Sequence, residues 1–206
     1  FFKQKTAYEI TYGDWSSDVC SSDLSKNLGH PGVTLCVIRK DLLGTPSPQC
    51  PGVLCYSTNI HDGNLWNTIA TFNVEVVNIY LQWLIDQGGV KEMERRSIAK
   101  SAMLYELIDQ SYGFYGTPIA DPSIRSRMNV PFNVAGGDEK ITQEFLIQGW
   151  ERGIVGLRTL TPFGVGQYLR ASLYNGVSVQ QTEVLAAFMT DFLKVARQKS
   201  SSHVLI

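Results

Sequence analysis

A lysine in a turn rich in glycine and proline, followed directly by an apolar strand, is the feature that most constrains this chain. The segment SKNLGHPGVTLCVIRKDLLG contains Lys26, Gly29 and Gly32. Residues Val33 to Arg39 alternate apolar and β-branched side chains, which predicts a strand. A turn at the end of a strand holds a lysine amine where it can face a bound ligand. The segment therefore predicts a sheet-containing fold with a nucleophilic amine at the sheet edge.

This segment resembles the cofactor-lysine segment of the phosphoserine aminotransferases, a class V branch of the pyridoxal-phosphate (PLP) aminotransferases. NTIATFN, RSRMNVPF and RASLYNG, beginning at Asn67, Arg125 and Arg170, resemble the same family in the same order. The resemblance implies an α/β protein of PLP-dependent transferase fold type I, with a partial large domain followed by a small α+β C-terminal domain. It also implies that Lys26 is the catalytic lysine and binds PLP covalently.

The resemblance assigns binding roles to three further residues. Asn67 and Thr68 correspond to the pair that contacts the PLP phosphate across a homodimer interface. Both residue types are good helix N-caps, and a helix N-terminus offers free N–H groups to an anion. An ordinary cap is the alternative, and it does not exclude phosphate binding. Arg170 corresponds to the arginine that binds the substrate α-carboxylate, for which a planar guanidinium is suited, with a structural salt bridge as its alternative role.

The implied activity is amino transfer from glutamate to 3-phosphohydroxypyruvate, a phosphorylated 2-oxo acid, giving 2-oxoglutarate and phosphoserine in L-serine biosynthesis. Phe163 and Gly164 stand where the family commonly has a His-Arg pair that recognises the substrate phosphate. Either another residue such as Arg158 has that role, or the substrate is not phosphorylated. Another class V aminotransferase and a non-catalytic dimerising fragment are therefore the alternatives to a phosphoserine aminotransferase.

Residues 1–24 show no hydrophobic periodicity at the helical or the strand repeat, so we expect no regular structure there. FFKQKTAYEI and DWSSDVCSSDL resemble translations of the two constant parts of a sequencing-library adapter. We expect this segment to be non-native and exclude it from the fold prediction. The family resemblance starts at Lys26, so the chain is expected to be a truncated and inactive C-terminal fragment.

Composition excludes several classes of partner. The net charge is -1 and the basic residues are scattered, which argues against nucleic acid. No apolar run reaches the length of a membrane span. Outside the first 24 residues the cysteines are Cys36, Cys50 and Cys55, an odd number that argues for a reducing, cytoplasmic location. Cys50 and Cys55 lack the spacing of a zinc pair, so we expect no metal.

The apolar spacing predicts a large-domain remnant with two bridging helices over residues 25–110 and a small α+β domain over residues 111–206. The first helix starts at the caps Asn67 and Thr68 and places Phe72 and Ile79 on its apolar face; the second runs from about residue 90 to 110. The small domain is predicted to contain strands at 127–133, 154–157 and 168–174, a helix at 138–152, and a last helix opened by an S-x-x-Q capping box at Ser178 and Gln181.

Overall fold

The computed structural model describes residues 19–23, 26–44, 46–61, 68–159 and 168–202. The chain divides into two compact units, Phe1–Val90 and Lys91–Ile206. The predicted domains, with a change after residue 110, stay a prediction. Leu104 and Ile108, on the helix before that residue, belong to the hydrophobic core of the second unit.

The first unit contains two strands and two helices. Strand β1, Val19–Asp23, pairs antiparallel with β2, Thr34–Ile38. Helix α1 spans Tyr56–His61 and helix α2 spans Thr71–Asp86. The strand predicted after the lysine turn is therefore present, whereas the expectation of no regular structure before residue 24 is wrong for residues 19–23. An antiparallel ladder is formed by backbone groups, so it does not require an apolar side-chain pattern.

Helix α2 begins later than predicted. Its N-cap is Ala70, without a side-chain cap, and Thr71 N donates to Ile69 O at 2.9 Å in a turn that precedes the helix. Thr68 is therefore not the cap, and Asn67 lies outside the described residues. The buried residue of α2 is Val77, while Phe72 is 72% exposed. The helix forms as its apolar spacing predicted, but Phe72, one of the apolar residues of that spacing, does not pack in a hydrophobic core.

The second unit is an antiparallel sheet with helices. Its four described strands are arranged in the order β3 (Tyr115–Gly116), β4 (Asn129–Val134), β6 (Leu169–Ser172) and β5 (Arg158–Thr159). The elements in chain order are α3 (Gly89–Asp109), β3 (Tyr115–Gly116), β4 (Asn129–Val134), α4 (Glu139–Glu151), β5 (Arg158–Thr159), β6 (Leu169–Ser172) and α5 (Val179–Ser202).

One face of this sheet carries the hydrophobic core. Along β4, Val130, Phe132 and Val134 are fully buried and alternate with half-buried residues, as expected for a strand with one face in the core. The Phe145 ring of α4 lies 6.0 Å from that of Phe132, with further aromatic side chains from α5 around it. Each such side chain contributes about 1.5–3 kcal/mol by burial, so the second unit has a substantial core of its own.

The prediction of elements holds for most of the second unit. The capping box is confirmed, because Ser178 N donates to Gln181 Oε1 at 2.8 Å and Gln181 N donates to Ser178 Oγ at 3.1 Å. The strand predicted at 154–157 is wrong, since the strand follows at Arg158–Thr159. Gly153 and Gly156 have φ of 77° and 83°. These positive φ values do not belong to extended backbone, so the strand begins only after Gly156.

Candidate active site

Lys26 lies on the turn that precedes β2. The turn covers residues 26–28, the lysine is exposed, and β2 follows from Thr34. This is the location that the sequence predicted, at the edge of a strand. An exposed amine on a short turn is accessible to a small molecule with an aldehyde group, so the residue fits the chemistry of a covalently bound PLP.

Helix α2 holds the segment that follows Lys26. Asn73 Nδ2 donates to the Pro31 carbonyl at 2.6 Å and lies 3.2 Å from Nδ1 of His30. The His30 ring also packs edge-on against Phe72, with 6.3 Å between ring centroids. These contacts fix His30 and Pro31 through side chains of the first turn of α2, a role that we did not predict for Asn73.

Two glycines of the lysine segment permit this close packing. A Cβ at Gly29 would lie 2.6 Å from Cγ2 of Val77, and a Cβ at Gly32 would lie 2.8 Å from Nδ2 of Asn73. Gly32 also has φ of 98°, a conformation that L-residues rarely adopt. The i, i+4 spacing of Asn73 and Val77 puts both on one helix face, which is the sequence signal that could have revealed the contact.

The contacts that α2 makes with residues 29–32 come from the helix itself and not from its predicted caps. Thr68 is exposed and lies before the start of α2, so the N-terminal N–H groups of this helix belong to residues after Ala70. The physical reason for assigning an anion to Thr68 is therefore weaker than the sequence indicated. The roles of Asn67 and Thr68 toward a phosphate stay predictions.

Arg170 lies on β6 in the second unit, on the face of the sheet that is opposite the core. Leu169 and Ala171 are buried, whereas Arg170 and Ser172 are half-buried. The sequence predicted Arg170 on a buried strand. In the structure only the face of β6 that carries Leu169 and Ala171 is buried. Nε of Arg170 is nevertheless buried, and no hydrogen-bond partner for it occurs among the described residues. A buried guanidinium N–H without a partner is costly, and an anionic ligand would satisfy it.

The two groups of predicted site residues belong to different units. Lys26 and Thr68 lie in the first unit and Arg170 lies in the second. Phe163 and Gly164 fall within residues 160–167, outside the described residues. In the part of the chain that the structure describes, no group of His, Cys, Asp and Glu could hold a metal ion.

Comparisons with known proteins identify the family of this chain. The family model described as Aminotransferase class-V matches residues 8–185. The match covers most of the chain, so this protein belongs to the class V aminotransferase family. It starts within the segment 1–24, whose non-native origin stays a prediction.

Curated relatives specify the branch of the family. The chain is 39% identical over 184 residues to phosphoserine aminotransferase of Ralstonia pickettii (strain 12J), covering 89% of this chain and 47% of the relative. It is 41% identical over 191 residues to that of Geobacillus kaustophilus (strain HTA426), covering 87% and 51%. The chain thus spans about half the length of the curated relatives that it matches.

Solved structures show the same relationship. The phosphoserine aminotransferase of Bacillus circulans subsp. alkalophilus superposes with a TM-score of 0.78 at 34% identity, over 87% of this chain and 48% of that one. A PLP-bound phosphoserine aminotransferase from Trichomonas vaginalis gives a TM-score of 0.74 at 28% identity, over 84% and 48%. The predicted fold class is confirmed: this chain has the mixed helix and sheet fold of the matched half of these PLP-dependent enzymes.

Proposed function

We propose that this chain supplies the cofactor lysine and the carboxylate-binding arginine of a phosphoserine aminotransferase. The reaction is amino transfer between glutamate and 3-phosphohydroxypyruvate in L-serine biosynthesis. The observation that carries the proposal is the lysine turn together with residues 29–32 directly after it, which pack against Asn73 and Val77 of α2. Because the chain spans about half of its relatives, the activity belongs to a protein of the relatives' full length. The 206-residue chain alone is proposed to be inactive.

The residues divide the work between binding and proton transfer. PLP, when bound, supplies the electron sink for chemistry at the amino acid's α-carbon. Lys26 Nζ would hold PLP, and its free amine would accept and return the proton at the substrate's α-carbon. The Arg170 guanidinium binds and orients the substrate carboxylate, which satisfies its buried Nε. The packing of Gly29 and Gly32 against α2 limits the movement of the lysine turn.

A class V aminotransferase with a non-phosphorylated substrate is the second candidate. The observation in its favour is that Phe163 and Gly164 replace the His-Arg pair typical of the resembling family. Amino-transfer assays on a protein of the relatives' length would separate the two functions. Phosphoserine is the better amino donor if the first function is correct, and alanine is the better donor if the second is correct.

The proposed protein is a cytoplasmic homodimer whose partners are glutamate and the phosphorylated 2-oxo acid. Across the described residues, no helix combines the length and the apolar character that crossing a membrane requires. A non-catalytic dimerising fragment is the candidate from another class, supported by the separate core of the second unit. The non-catalytic fragment predicts that PLP does not react selectively with Lys26, whereas the enzyme predicts that it does.

Covalent trapping of PLP tests the role of Lys26 without an activity assay. The 206-residue chain is incubated with PLP, treated with sodium borohydride to fix the cofactor on the amine that binds it, and digested for peptide mapping. We expect most of the label on the peptide that contains Lys26, and we expect the Lys26→Arg variant to lose it.

The matched control for this experiment is Lys40→Arg, because Lys40 is exposed and lies just beyond β2 in the same unit. This variant should keep the label on Lys26. Label distributed evenly over the lysines of the unmodified chain would contradict the proposed function, and it would favour the non-catalytic fragment.

A further inference from the structure

A cavity lies in the second unit between residues 153–157, strand β6 and the first turns of α5. Its volume is about 430 Å³, which is in the range of about 300–1,000 Å³ that is typical of small-molecule sites. Of the residues that line it, Ala171 and Leu173 are buried, whereas Val155 and Val184 are 63% and 55% exposed. The cavity thus extends from the core of the unit to its surface, and its walls are mainly aliphatic.

The walls of this cavity are uncharged. None of the described residues that line it is acidic or basic, and its polar side chains are those of Ser172, Gln181 and Thr182. Ser172 Oγ donates to Asn129 Oδ1 at 3.3 Å. Gln181 and Thr182 both bond to the backbone of Ser178, at 2.8 and 3.1 Å. A charged ligand would lose its hydration here without gaining a counter-charge, so the cavity suits an uncharged ligand and not the charged acids of the proposed reaction.

The backbone of Ser172 supplies a hydrogen-bond donor and an acceptor at the cavity wall. Leu173 N donates to Met128 O at 2.7 Å, in line with the register of β4 and β6. In an antiparallel ladder the residues that bond to one neighbour alternate with those that face the other side. The N–H and C=O of Ser172 therefore point away from β4, toward the side of β6 on which β5 lies.

Strand β5 begins too late to pair with Ser172. Because Arg158 pairs with Arg170 in an antiparallel register, Gly156 would be the residue opposite Ser172. Gly156 has φ of 83° and lies outside the strand. In the part of the chain that the structure describes, no backbone hydrogen bond joins residues 153–157 to Ser172. An N–H and a C=O of the sheet edge thus face the cavity without a described backbone partner, and such an edge binds extended amide groups.

We propose that this cavity binds small, uncharged molecules that contain two amide groups around one carbon and aliphatic groups beyond them. The N–H and the C=O beside the central carbon bond to the C=O and the N–H of Ser172, as in an antiparallel pair. Groups alternate between the faces of a strand, so the aliphatic groups lie on the face of Ala171 and Leu173, where the cavity is apolar. This inference goes beyond the proposed function, because it involves neither PLP nor amino transfer.

Ligand titration of the intact 206-residue chain tests the inference. The amide signals of Ser172 and its neighbours are followed by NMR while N-isovalerylglycine isobutylamide is added. We expect these signals to shift with a Kd on the order of 1 mM, as is usual for a ligand of this size. N-isovalerylglycine, which ends in a carboxylate, should bind at least tenfold more weakly. N-isovalerylsarcosine isobutylamide lacks the central N–H, and its Kd should be about tenfold higher, because the Ser172 carbonyl then has no donor.

Two tryptophan variants of α5 locate the site. Val184→Trp places an indole at the cavity wall and should raise the Kd for the isobutylamide at least tenfold. Val195→Trp is the matched control, because Val195 is 47% exposed on the same helix, about 16 Å further along its axis, and does not line the cavity. This variant should keep the Kd of the natural chain. Unchanged amide signals of β4 would show that both variants are folded.

Equal Kd values for the glycine and sarcosine ligands would overturn the pairing with Ser172. That comparison uses the natural chain, so it does not depend on the folding of a variant. Equal Kd values for Val184→Trp and Val195→Trp would overturn the location of the site, and a carboxylate ligand that binds as tightly as the isobutylamide would overturn the preference for uncharged molecules. Failure of the proposed function has a separate signature, namely the absence of selective PLP labelling at Lys26.

Discussion

At the scale of single residues, Lys100 is the most unusual position in the described structure. It is 2% exposed, and its Nζ donates to the carbonyls of Leu173, Tyr174 and Val177 at 2.8, 3.0 and 2.7 Å. Burial, and to a smaller extent the positive charge of Arg96, lowers the pKa of Lys100. Lys100 thus connects α3 by hydrogen bonds to the segment directly after β6, the strand that contains Arg170.

Replacing Lys100 by Met leaves these carbonyls without their common donor. We expect Lys100→Met to destabilise the second unit by about 3 kcal/mol, because a buried polar group without a partner costs about 1–3 kcal/mol. Hydrogen exchange of β4 and β6 amides measures the free energy of unfolding of this unit. Lys140→Met, at an exposed position of α4, is the control and should have little effect.

The effect of Lys100 also depends on pH. Because its pKa is lower in the folded chain than in the unfolded chain, the folded state loses the proton first. The stability of the natural chain relative to Lys100→Met should therefore increase as the pH rises through the lowered pKa toward the ordinary lysine value. A flat pH profile of this stability difference would contradict the assignment of Lys100 as a buried cation.

At the scale of elements, the sequence predicted best where the local signal and the packing agree. α5 begins at its capping box, and α3 and α4 follow the apolar spacing. Local sequence patterns did not reveal the features that tertiary contacts or backbone conformation determine. Lys100 is buried although it is charged, and positive φ at Gly153 and Gly156 delays the strand to Arg158.

The candidate site was predictable to a similar degree. The segments around Lys26 and Arg170 could be found from the sequence because their neighbours form recognisable patterns. The pairing of β6, the strand of Arg170, with β4 and β5 could not, since strand register depends on contacts between segments that are separated in the chain. The contact of Asn73 with the lysine segment is likewise a tertiary contact.

The capping box of α5 provides a test at this scale, because two adjacent glutamines differ only in their contacts. Gln181→Ala removes the acceptor of the Ser178 N–H, and we expect a loss of about 1 kcal/mol in the stability of the second unit. Gln180→Ala should be neutral or slightly stabilising, since Gln180 is exposed and alanine favours a helix. Equal effects in denaturant unfolding would contradict the role of the box.

At the scale of the whole molecule, the two units differ in how much apolar surface they bury. Buried hydrophobic residues in the described first unit are Cys55 and Val77, whereas the second unit has the connected core around Phe132 and Phe145. Phe72 of α2 is exposed, as are both Leu35 and Val37 of β2. The second unit is therefore the part of the chain whose folding is supported by its own packing.

This difference predicts unequal protection from hydrogen exchange. Amides of β4 and β6 should exchange about a hundredfold or more slowly than those of β1 and β2, because burial of two or more large side chains amounts to several kcal/mol and each 1.4 kcal/mol is about tenfold. Exchange measured by NMR or mass spectrometry on the intact chain provides the comparison. Similar protection in both sheets would show that the first unit is stabilised independently of a buried core.

Alternation along β6 has a consequence for how such a protein can evolve. Leu169 and Ala171 are fixed by the core, but Arg170 and its neighbour Ser172 lie on the other face and are not. Substitutions on that face can therefore change what the strand presents there while the packing of the core is kept. Variation of a site and conservation of folding stability are thus separated on the two faces of one short strand.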